Sequence, residues 1–170
     1  MKKILLLFVC LFVCWALFAQ QRIKVACVGN SITYGTGLAD RATQSYPVQL
    51  QKLLGEHYEV ENFGKPGATL LNQGHRPYTR QEEYRKALDF AGDIVVIHLG
   101  INDTDPRDWP NYRDSFVTDY LNLMDTFRKA NPDVRIIIAR MTPIADRHNR
   151  FLSGTRDWHG EMQTAIETVA

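Results

Sequence analysis

Three short segments carry groups suited to attacking and stabilising a carbonyl. Gly29-Asn30-Ser31-Ile32-Thr33-Tyr34-Gly35 places a serine hydroxyl on a glycine-flanked turn. If the turn joins a strand to a helix, the hydroxyl is exposed. Its own N–H then lies where unpaired amide donors and the helix dipole favour a developing negative charge. Ser31 could equally be an ordinary helix N-cap. Asn62-Phe63-Gly64-Lys65-Pro66-Gly67-Ala68-Thr69 contains a glycine free to adopt unusual dihedrals, so Gly67 could aim an N–H at a ligand or simply complete a turn. Gly100-Ile101-Asn102-Asp103 offers a carboxamide that could donate into a crevice or close an Asx-turn.

These segments each follow a strand-like run. Lys24–Gly29 (KVACVG) and Asp93–Leu99 (DIVVIHL) are short apolar runs ended by glycine, and Tyr58–Asn62 and Val134–Arg140 (VRIIIAR) read as two further strands. Between them, Tyr46–Gly55 and Gln81–Ala91 have helical spacing and stop at glycine, Gly92 serving the second. A long helix is expected over Asn111–Ala130, with Phe116, Tyr120, Leu123, Met124 and Phe127 on one face. A last helical stretch runs near Trp158–Ala170, and Phe63–Arg80 reads as loop. Strands alternating with helices predict a parallel sheet covered on both faces, in one domain. Such sheets bind ligands beyond the carboxyl ends of their strands, where the three segments lie.

Taken together, GNSIT, N-x-G-x-x-G-A-T and G-x-N-D in this order resemble the SGNH (GDSL-type) hydrolases, over about Ile23 to Ala170, and especially the secreted acetylesterase and lipase-like branch. The resemblance implies a flavodoxin-like three-layer α/β/α sandwich. It implies Ser31 as nucleophile and an oxyanion hole made by the N–H groups of Ser31 and Gly67 and the side-chain amide of Asn102. It further implies hydrolysis of small acyl esters, O-acetylated carbohydrates first, through an acyl-serine intermediate; the residues themselves show no metal-ligand spacing and no cofactor motif. Asn30 stands where the family usually has Asp, keeping the shape and removing the charge. The family draws its base from a late Asp-x-x-His block after a fifth strand. These 170 residues contain no such pattern, so the last strand and helix are expected to be missing.

The histidines offer no evident substitute. His98 lies within a strand, and His57 falls at the end of the sheet away from the three segments. His148 and His159 have Asp neighbours at the wrong spacing, and His75 could contact substrate or decorate the surface. Asp103 is expected to hold its loop through backbone hydrogen bonds. Tyr34, Tyr78 and Trp109 could form a sugar-stacking wall or pack internally. Two other classes fit parts of the sequence. A non-catalytic SGNH-fold fragment would keep the sheet without the base. A Rossmann-like nucleotide binder could use Gly29, Gly35, Gly37 and Glu61, but its glycine spacing does not match G-x-G-x-x-G, and no phosphate loop is present.

Composition limits the remaining possibilities. The chain is 45% hydrophobic and 23% charged, with 20 Lys+Arg against 19 Asp+Glu, a globular composition whose near-neutral charge removes the electrostatic argument for a nucleic-acid binder. Met1-Lys2-Lys3, the apolar run Ile4–Phe18 and Ala19 read as a signal peptide over residues 1–19, with an uncleaved N-terminal anchor as the alternative; cleavage would leave 20–170 as an exported, secreted or periplasmic domain with no membrane span of its own. Of three cysteines, Cys27 alone would remain, buried and inert in its strand.

Overall fold

The computed structural model of the chain describes residues 22–145 and 155–170. Four parallel strands form one sheet in the order β2-β1-β3-β4: β1 (Ile23–Gly29), β2 (Tyr58–Gly64), β3 (Ile94–His98) and β4 (Arg135–Ile138). The helices are α1 (Ser31–Tyr34), α2 (Arg41–Gln44), α3 (Tyr46–Leu54), α4 (Glu82–Phe90), α5 (Trp109–Tyr112), α6 (Phe116–Ala130) and α7 (Thr155–Val169). No helix among the described residues is long and apolar enough to cross a membrane. The predicted signal segment and His148 lie outside the described residues.

Strand position explains composition. β1, in the interior of the sheet, is covered on both faces, and Val25, Ala26, Cys27 and Val28 are all buried. Ala26 and Val28 join a core with Ala87 of α4, the apolar face of α6, and Met162 and Ile166 of α7. On the opposite face Cys27 meets Tyr46 of α3, and burial pushes its thiol pKa up to about 12, as an inert buried cysteine requires. The edge strands β2 and β4 are less covered and tolerate Glu59, Glu61 and Arg135. The layers are thus helix, sheet, helix.

The expected α6 stripe is the observed one: Phe116, Tyr120, Leu123, Met124 and Phe127 are its buried residues. The helix is shorter than predicted at its start. Tyr112 leaves helical geometry at φ −130° and ψ 6°, and Arg113–Ser115 forms a 3-10 turn that separates α5 from α6. Trp109 anchors α5 by itself, packing edge-on against Phe116 at 5.3 Å and donating its indole N–H to Glu161 of α7 at 2.8 Å. Helix α4 ends one residue earlier than its glycine suggests, because Ala91 takes the left-handed conformation (φ 48°) and donates its N–H to the Leu88 carbonyl.

Candidate active site

The chain turns sharply at the carboxyl end of β1. Asn30 is buried, and its Oδ1 accepts the Ile32 N–H at 3.0 Å, capping α1 as an aspartate would, without the charge. Ser31 is the first residue of α1 and is half-buried. Its carbonyl accepts from Gly35 and Thr36, both at 2.9 Å, so the turn is closed from both sides. β2 runs against this turn. A Cβ on Gly64 would stand 2.2 Å from the Tyr34 nitrogen, so only glycine permits that approach. The Lys65 N–H then donates to the Gly29 carbonyl at 2.8 Å, and the Asn62 side-chain amide donates to the Thr33 carbonyl at 2.8 Å. The first and second segments are thereby joined.

The second and third are joined more tightly. Gly67 adopts φ +78°, the left-handed region that favours glycine. Its neighbour Ala68 presents a carbonyl that accepts the Asn102 side-chain N–H at 2.9 Å, fixing the plane of that buried amide. Asp103, with no exposed surface, accepts the Leu70 and Leu71 N–H groups at 2.9 and 2.7 Å. Burial pushes its carboxyl up to about 7, opposed by the two amides, while Asp108 adds repulsion.

Ser31 and Asn102 line one open cavity of about 300 Å³ with Ile32, Ile101, Pro143, Ile144 and Ala145. Gly67 is not among the lining residues; it lies beside them, one residue from the carbonyl that holds Asn102. The cavity therefore combines a hydroxyl and a carboxamide with a largely apolar wall, a composition suited to a small ligand with one polar centre.

The histidines are spread over the fold. His98 ends β3 and is buried, which lowers its pKa and favours the neutral ring. His57 precedes β2 at the opposite end of the sheet, where its carbonyl takes the Ile23 N–H at 2.9 Å. His159 on α7 meets the Thr142 carbonyl at 3.2 Å. His75 has a defined partner: its Nδ1 lies 2.6 Å from Oδ2 of buried Asp108, whose Oδ1 also accepts the His75 N–H at 2.8 Å. His75, Asp105 and Asp108 bring one ligand atom each within 4.8 Å of one another. Asp105 is however gripped by Nε and Nη2 of Arg107, and Asp108 by the backbone and ring of His75, which accounts for the cluster as a hydrogen-bonded network.

The aromatic wall does not form as one of the two sequence readings had it. Tyr78 is fully buried with its hydroxyl on the Phe63 carbonyl at 2.8 Å, Trp109 is core, and the Tyr34 ring is covered by Arg41 at 3.9 Å. Glu61, the acid a nucleotide binder would need, is exposed on edge strand β2. Sequence reading missed the partners Asp108 and Asp119. Asp119 accepts both the backbone and side-chain N–H of Asn72 across 47 residues, and no local spacing announces such a pair.

Known proteins resemble this chain. The model of the GDSL-like lipase/acylhydrolase family matches residues 27–170. An acetylxylan esterase of Xylanibacter ruminicola is 44% identical over 109 residues, which is 64% of this chain and 22% of that protein, so the match spans about a fifth of the relative's length. Among solved structures, a GDSL-like lipase from Bacteroides thetaiotaomicron superimposes with a TM-score of 0.59 at 21% identity, covering 90% of this chain and 67% of the other. A family two carbohydrate esterase from Clostridium thermocellum, in complex with cellohexaose, gives 0.54 at 23% identity, covering 82% and 48%. At these identities the structural likeness is one of fold.

Proposed function

The chain belongs to the GDSL-like lipase/acylhydrolase family, and on that premise we propose that its site is that of a serine esterase acting on small acyl esters, O-acetyl groups on carbohydrates first. The observation that carries the reading is the shared cavity of Ser31 and Asn102, with the Asn102 amide tied to the residue after Gly67. The acetylxylan esterase relative and the carbohydrate esterase neighbour support the sugar side of the substrate. The apolar wall suits an acyl group.

In this mechanism the Ser31 hydroxyl attacks the ester carbonyl, and the carbonyl oxygen becomes an oxyanion. The N–H groups of Ser31 and Gly67 and the Asn102 amide stabilise that charge as it develops. The alcohol leaves, an acyl-serine remains, and water releases the acid. Serine needs a proton acceptor for this; the family resemblance expects an Asp-x-x-His pair, which these 170 residues do not contain. The assignment is therefore confined to Ser31, Gly67 and Asn102, with export directed by residues 1–19.

Release of 4-nitrophenol from 4-nitrophenyl acetate, and of acetate from acetylated xylan, tests the reading against Ser31→Ala. With the proton acceptor that the family resemblance expects present in the protein assayed, the expected result is hydrolysis by the parent protein and none by the variant. Hydrolysis undiminished in Ser31→Ala would refute the nucleophile.

A further inference from the structure

We propose that Arg76 is a specificity-determining residue of this site, selecting esters that carry a carboxylate beside the scissile bond, foremost on the sugar. The inference rests on the esterase reading and adds to it a charged substrate class. Arg76 belongs to a segment held from three sides. Its carbonyl accepts the Thr69 N–H at 2.9 Å, the next residue, Pro77, is buried in a parallel bridge with Thr69, and the preceding residue, His75, is locked onto buried Asp108. From this fixed base the side chain folds back over Gly67. Its Cδ and Nη1 each lie 3.4 Å from where a Cβ on Gly67 would stand, so the guanidinium lies close to the Gly67 backbone. Lys65, on the same loop, is paired with Glu83 at 2.9 Å. Arg76 is exposed, and its guanidinium makes no hydrogen bond or ion pair with any described residue.

A substrate closing over that guanidinium removes water from a cation. A neutral sugar offers only weak compensation, whereas a carboxylate matches the planar fork with two parallel charge-assisted bonds. The same cation therefore favours the charged ester and disfavours the neutral one.

The test compares kcat/KM for two matched pairs. Acetylated galacturonic acid against acetylated galactose puts the carboxylate on the alcohol side. A 4-nitrophenyl hemiglutarate against 4-nitrophenyl butyrate puts it on the acyl side. The parent protein is expected to prefer the charged member of the sugar pair, Arg76→Gln to cut that ratio about tenfold or more, and Arg76→Lys to retain part of it. A ratio that falls only in the acyl pair would overturn the placement on the sugar. An equal loss on charged and neutral esters would overturn selection altogether and make Arg76 an oxyanion stabiliser. Calorimetric binding of galacturonic acid and galactose to Ser31→Ala, with and without Arg76→Gln, needs no turnover. If the parent protein with its proton acceptor present hydrolyses no ester, the esterase reading fails, and Arg76-dependent binding of galacturonic acid would then leave Arg76 as a carboxylate-binding residue only; equal binding of both sugars would sink the selection by Arg76 and leave the esterase reading standing.

Discussion

Two sides of the cavity are built differently. On the side that follows β2 and β3, carboxylates fasten the loops to each other: buried Asp103 on the Leu70 and Leu71 amides, buried Asp108 on His75, half-buried Asp119 on Asn72, with Asn102 held to Ala68. On the side that follows β4, Pro143, Ile144 and Ala145 supply apolar surface. There the described ties are the Met141 N–H on Gln163 at 3.0 Å and His159 on the Thr142 carbonyl at 3.2 Å. A developing charge is stabilised only by donors already oriented before reaction, whereas an acyl group asks of its wall only shape. Among the described residues, polar cross-links are concentrated where orientation matters.

The largest effect expected from breaking this contrast is on stability. Asp103→Ala strips two buried amides of their acceptor at once, and an unsatisfied buried donor costs about 1–3 kcal/mol, so the loss should reach about 2–6 kcal/mol in urea denaturation. A loss under about 1 kcal/mol would mean that this side is not held by its carboxylates. Asp103 also gives the comparison a pH signature. Its folded carboxyl titrates near 7 against an ordinary 3.8, so between about pH 4 and pH 7 the folded chain retains a proton that the unfolded chain has released. This group's contribution to stability therefore falls as pH rises through that window. Asp103→Asn should flatten that fall, and an unchanged slope would assign it to other groups.

Next comes a loss in rate rather than in stability. If Asn102 is an oxyanion donor, Asn102→Ala should lower kcat on 4-nitrophenyl acetate by about 10²–10³, corresponding to about 2.7–4 kcal/mol of transition-state stabilisation, while the protein stays folded. A fall in kcat accompanied by an equal collapse of the melting transition would instead make Asn102 a structural tie to Ala68. His75→Ala follows, at about 1 kcal/mol of stability, because Asp108 loses its imidazole partner but keeps the backbone N–H of residue 75 and gains access to water. Wild-type stability in that variant would show that the His75–Asp108 contact does not stiffen the loop.

How much of this was legible beforehand follows from the range of the interactions. The sheet and its flanking helices were readable because apolar runs and the α6 stripe report local burial, and the three segments were readable because each is contiguous. Asp103 was readable as a loop holder because it sits next to Asn102, but its partners were not, being more than 30 residues away. Tyr78 and Trp109 illustrate the limit. An aromatic residue in a loop segment carries no local sign of whether its polar atom will find a buried partner; Tyr78 found the Phe63 carbonyl and Trp109 found Glu161, and both left the surface. The His75–Asp108 pair likewise spans 33 residues. Periodicity reports which face is buried, while a cross-loop carboxylate depends on how two turns meet.

The smallest expected effect tests the other side of the cavity. Gln163→Ala removes the side-chain carbonyl that holds the Met141 N–H, one neutral hydrogen bond at a half-buried position, so it should cost about 0.5–1.5 kcal/mol of stability. Residue 141 leads directly into Pro143 and Ile144, so the loosened segment carries the apolar wall with it. The oxyanion donors on the opposite side are untouched. The variant should therefore raise KM for 4-nitrophenyl butyrate while leaving kcat within about twofold, since uniform binding is lost and transition-state stabilisation is kept. A fall in kcat comparable to that of Asn102→Ala would show that the two sides act as one rigid unit and that their difference in construction has no functional consequence.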